Sequence, residues 1–143
     1  MAALYDEDIL LWSERQADLL RRAAAGERVN DGALDWLNLS EEIEAMGRGE
    51  LRACESLLIQ AIVHRLKQLC WPDCPEVAHW RGEEIRFRQE ASDAFSPSMR
   101  QRIDMERVRR RAMQRLPQVI DGMPPLPAPD LSGVALEEWL VTE

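Results

Sequence analysis

Apolar residues recur along this chain at steps of three and four, the period of one face of an α-helix, and the two-residue alternation of a half-buried strand is missing. Ala, Leu, Glu, Arg and Gln dominate, all strong helix formers, while Val, Ile, Thr, Tyr and Phe are sparse. The pattern predicts an all-α fold: a bundle of four main helices, with a glycine-interrupted central helix and a short C-terminal helix. Short connections between the helices predict antiparallel neighbours.

The first helix is predicted to start at Asp6, a competent N-cap, with Glu7 and Asp8 at the positive helix end. Its stripe is Ile9, Trp12, Gln16, Leu19, Leu20 and Ala23, and Gly26 supplies the stop. A second helix begins near Asp35 and carries Leu39, Ile43 and Met46 on one face. Gly47 and Gly49 together cost about 2 kcal/mol against alanine, which predicts a kink or a short break. Periodicity resumes at Leu51, Cys54, Leu57, Leu58, Ala61, Ile62, Leu66 and Leu69, a stripe wide enough for the central helix of a core. Pro72 and Pro75 end that helix by Trp71. A third helix is predicted from about Ala78 to Phe95, with Trp80, Glu84, Phe87, Ala91 and Phe95 on one face. Ser96-Pro97 starts a fourth, running to about Leu116 and burying some of Met99, Ile103, Val108, Ala112 and Leu116. Residues 123–130 are proline-rich and extended. A last short helix near Gly133–Leu140 docks Leu136, Trp139 and Leu140 on the bundle.

The 143 residues match the size of one domain, residues 1–143, and the 45% apolar content is that of a globular chain. Three cysteines, an odd number, fit a reducing compartment better than a disulfide framework. The opening Met1-Ala2-Ala3-Leu4-Tyr5-Asp6 has neither the basic nor the apolar region of a signal peptide, and no run is long enough to span a bilayer, so a cytoplasmic protein without membrane contact is expected. The net charge of −8 favours solubility and disfavours nonspecific binding to polyanions. The charge is unevenly spread. Residues 1–60 carry 13 acids and 6 bases, residues 61–116 carry 8 and 12, and the remainder carry 5 acids and no base. A basic middle between acidic ends points to faces that attract each other within the fold or across a dimer.

Several separated motifs keep a recognisable order: Tyr5-Asp6-Glu7-Asp8 ahead of Trp12, Leu37-Asn38-Leu39-Ser40-Glu41-Glu42-Ile43-Glu44, Gly47-Arg48, Ala61-Ile62-Val63-His64-Arg65-Leu66-Lys67, Trp80-Arg81 and Ser96-Pro97-Ser98. Together they make nearly the whole chain resemble a bacterial helical family catalogued as a domain of unknown function, number twenty-nine. The resemblance implies a small all-α fold and brings no activity. Cys70, Trp71, Pro72, Asp73 and Cys74 stand where that family usually has aromatic and polar residues.

Four residue sets bear on chemistry. Glu41, Glu42 and Glu44 with His64 are the parts of a carboxylate-bridged metal site, but on one continuous helix Glu42 and His64 stand about 33 Å apart. Cys70, Cys74 and His79 lack the second ligand pair of structural zinc. No metal and no cofactor is therefore expected. A turn near residues 74–75 would place His64 opposite Glu84. A partly buried hydrogen bond between them would favour the charged imidazole and give an acid–base pair, with no nucleophile beside it. Finally, Arg107, Arg109, Arg110, Arg111 and Arg115 crowd the fourth helix; nucleic-acid binding would use such a stripe for phosphates, but it lacks aromatic interleaving and reads first as a solvated or partner-facing surface. The sequence thus favours a non-enzymatic protein-interaction module, possessing a protein partner or self-associating. A nucleic-acid-binding or nuclease-like protein using the arginine helix is the main alternative, and an enzyme centred on His64 and Glu84 the second.

Overall fold

A computed structural model describes residues 3–141, so Met1 and Ala2 of the opening segment lie outside the described residues. The regular structure of the described residues is helical, without a β-strand. It comprises α1 (Ala3–Glu7), α2 (Ile9–Ala24), α3 (Trp36–Cys70), α4 (Val77–Ala94), α5 (Met105–Arg115) and α6 (Leu136–Trp139), with 3₁₀ turns at Asp31–Ala33 and Pro97–Met99. The four main helices are α2, α3, α4 and α5. The chain divides into two compact units, Met1–Arg48 and Gly49–Glu143.

In the first unit, the expected cap at Asp6 moves two residues. Asp6 lies inside α1, and Asp8 accepts from the Leu11 amide to start α2. Just past the end of α2 stands Gly26, whose φ of +87° lies in the left-handed region that a side chain would strain. Asp35 starts α3 by accepting from both the backbone amide and the side-chain amide of Asn38. Those bonds hold its carboxyl below the usual aspartate range, with the Asn38 side chain the largest cause. The Trp12 indole donates to the same carboxylate at 2.9 Å, and Gln16 bonds both the Ala33 carbonyl and the Asp35 amide. This polar knot fixes where α2 meets the start of α3.

Of the kink or short break expected at Gly47 and Gly49, the break does not occur: α3 is unbroken from Trp36 to Cys70. Extending a formed helix adds one hydrogen bond per residue fixed, and neither glycine here takes the left-handed backbone that Gly26 takes after α2. Arg48 also ties the segment together by pairing with Glu41 and Glu44, each at 3.6 Å. A Cβ at Gly47 would meet no atom within 4 Å. Gly47→Ala should therefore raise the unfolding free energy by about 1 kcal/mol. Denaturant titration checks this, and an unchanged or lowered midpoint would show that the glycine is needed for its backbone.

The second unit holds the main core. Cys54, Leu58, Ile59, Ala61, Ile62, Val63 and Leu66 of α3 pack with Ala91 of α4, Val108 and Ala112 of α5, and Leu136 and Trp139 of α6. The pairings Cys54 to Ala91 and Arg65 to Glu84 show that α3 and α4 run antiparallel. The predicted fourth helix is split. Pro97–Met99 forms one 3₁₀ turn, and Asp104 then caps α5 by accepting from the Glu106 and Arg107 amides. A capping aspartate competes with the continuing helix for those donors, and here it prevails. Residues 124–130 have no regular structure and are exposed. A tight turn precedes them, with Asp121 (φ +50°) and Gly122 (φ +73°) both left-handed, as a two-residue hairpin turn demands. The Trp71 indole donates to the Met123 carbonyl, which seats this turn on the end of α3.

Candidate interaction surface

Glu84 is buried, 4% exposed, on α4. Its partner is not His64 but the next residue. Arg65 donates to both Glu84 carboxylate oxygens, at 2.7 and 2.9 Å, and Gln68 adds a third bond at 3.0 Å. Arg88 approaches at 3.5 Å. His64 instead bonds the Gln60 carbonyl through Nδ1 and lies against the Phe87 ring. The expected preference for the charged imidazole is reversed. Burial, the largest cause, pushes the His64 pKa down. One residue along a helix is a turn of about 100°, enough to exchange a histidine for an arginine at the buried carboxylate. The cluster is an ion pair between α3 and α4, with both carboxylate oxygens already occupied.

Arg107 turns inward and binds buried Glu55 through both carboxylate oxygens. Arg109 donates to the Val134 carbonyl at 3.4 Å. Of the five arginines that nucleic-acid binding would use, Arg110, Arg111 and Arg115 are exposed. The helix therefore presents three of its five guanidinium groups to solvent. Among the described residues no three His, Cys, Asp or Glu side chains are grouped to hold a metal ion. Cys70 and Cys74 are buried with Trp71 and Trp80, and His79 is exposed. No helix among the described residues is long and apolar enough to cross a membrane.

The most unusual surface lies in the first unit. Among the described residues its buried ones are Trp12, Gln16 and Leu34, against 20 in the second unit. Its apolar side chains are present but uncovered: Trp36 is 55% exposed, Leu37 80%, Ile43 65% and Met46 69%. Trp36, Leu39, Ile43 and Met46 follow steps of three, four and three along α3, the spacing of a helix-packing seam. Between this seam and α2 runs an open groove of about 460 Å³, walled by Trp12, Gln16, Ala17 and Leu20 on one side and Leu39, Ile43 and Met46 on the other. Glu42 is its one charged lining residue, and the Tyr5 hydroxyl donates to it. The periodicity at Leu39, Ile43 and Met46 is visible in the sequence. That Ile43 and Met46 stay two-thirds exposed is not.

A protein-family model described as "Domain of unknown function DUF29" matches residues 4–127. A crystal structure of an alpha-helical protein of unknown function from Rhodospirillum rubrum is similar at 32% identity and a TM-score of 0.68, covering 95% of this chain and 88% of that one. No curated protein matches.

Proposed function

The chain belongs to the DUF29 family, and from that premise we propose that this member is a protein-interaction module whose contact surface is the first unit. The observation that carries the reading is the mismatch between apolar content and burial in residues 4–48, where two helices present a seam and leave it open. Contiguous apolar surface of this kind on a folded chain marks a contact site, and helices gain most of their stability by packing such a stripe. The reading is preferred over an enzyme at His64 and Glu84, whose carboxylate is occupied by Arg65 and Gln68. It is preferred over nucleic-acid binding through α5, where Arg107 is already held by Glu55.

The test is recovery of the tagged protein from its own host, comparing wild type with Ile43→Asp. Ile43 is two-thirds exposed, so the variant keeps its circular dichroism and melting midpoint. Proteins recovered with wild type should be lost from the variant. An identical set from both would remove the first unit as the contact surface.

A further inference from the structure

The geometry points to a basic amphipathic helix of another protein as the occupant of the groove between α2 and α3. This deepens the interaction reading and rests on it.

Length argues for a helix. The groove is walled from Trp12 to Leu20 on α2 and from Leu39 to Met46 on α3, and eight residues of helix rise about 12 Å. A third helix covers that span with anchors at i, i+3, i+4 and i+7, the helix-in-groove mode of recognition. It would also cover the seam that α2 and the start of α3 leave open.

Charge argues for a basic one. Residues 1–48 carry 11 acids and 5 bases. Two of those bases pair with four of those acids, Arg22 with Asp18 and Glu27, and Arg48 with Glu41 and Glu44, which leaves seven acids against three bases. Glu42 places a carboxylate inside the groove itself. A second copy docked by the same face would set two such acidic surfaces together, and like charges across an interface oppose association. Lysines or arginines flanking the apolar stripe of a partner helix would instead meet Glu42 in a unit of net negative charge.

The probe is a pair of labelled eighteen-residue amphipathic peptides with the same leucine stripe, one with a lysine-rich polar face and one with a glutamate-rich face. Binding is read by fluorescence anisotropy on the full chain at two salt concentrations. The basic peptide should bind at least tenfold more tightly than the acidic one, and more weakly at high salt. Ile43→Asp should weaken it at least tenfold, although the substitution adds a negative charge. That opposition separates docking in the groove from general attraction to an acidic protein: undiminished binding by Ile43→Asp overturns the inference. Equal binding of both peptides overturns the basic partner. A dimer in sedimentation that Ile43→Asp dissociates makes a second copy the occupant and also overturns it. In both of those last cases the interaction reading survives. If neither peptide binds, the inference falls, and the host recovery experiment decides separately whether the interaction reading falls with it.

Discussion

Trp139→Ala is expected to lower the unfolding free energy by about 4 kcal/mol, the middle of the range for truncating a buried aromatic side chain. The indole is 2% exposed and packs in the main core of the second unit. Arg65 and Arg88 lie over its ring, with guanidinium carbons 5.6 and 6.0 Å from the centroid. Arg88 also donates to the Glu138 and Trp139 carbonyls, and the Val141 amide donates to Ser92. α6 has four residues, far too few to be helical by itself, so its order depends on this anchor. Removing the ring should release residues 136–141 together with the lost packing. The indole N–H meets no acceptor among the described residues. Trp139→Phe, which discards that buried donor and keeps most of the ring, should therefore cost much less. Urea melts of both variants check the pair. A loss below about 1 kcal/mol for Trp139→Ala would show that α6 is dispensable to the core.

Glu84→Ala is the second large effect, at about 3 kcal/mol, because breaking a buried ion pair strands the remaining charges. The cost sits at the low end of that range because the Arg65 side chain is 39% exposed and regains water when released. Glu84→Gln keeps an oxygen for Arg65 and should fall between the alanine variant and wild type. His64→Ala should cost about 1 kcal/mol, since the ring is partly exposed and gives up one hydrogen bond and its contact with Phe87. The order is the informative result. If His64→Ala proved more damaging than Glu84→Ala, the histidine and not the arginine pair would be the pivot between α3 and α4.

Much of this architecture is legible in the sequence, and each miss has a physical cause. Proline, glycine and capping residues place the ends of α2, α4 and α6 within a few residues. Asp6 and Asp8 are equally good caps, and local chemistry cannot choose between them. The split before α5 did leave a trace. The stripe steps by four from Met99 to Ile103 but by five to Val108, then by four to Ala112 and Leu116. A step of five does not fit one helical face, and Asp104 stands inside it. Gly47 and Gly49 misled because residue propensity is a small term beside the cooperativity of a long helix. The exchange of His64 for Arg65 reflects helix rotation, which turn position alone does not define. The openness of the seam on α3 is not legible for a deeper reason. Periodicity reports that a face is apolar, and it cannot report whether anything in the same chain is available to cover it.

The placement of sulfur has a practical consequence. Cys54, Cys70 and Cys74 all lie in the second unit, at 0%, 2% and 4% exposure, and burial pushes the Cys54 thiol up to about 11. The first unit contains no cysteine. A thiol reagent can therefore react only when the second unit opens, and its rate becomes a clock for that event alone. Fraying of the sparsely buried first unit leaves the clock untouched.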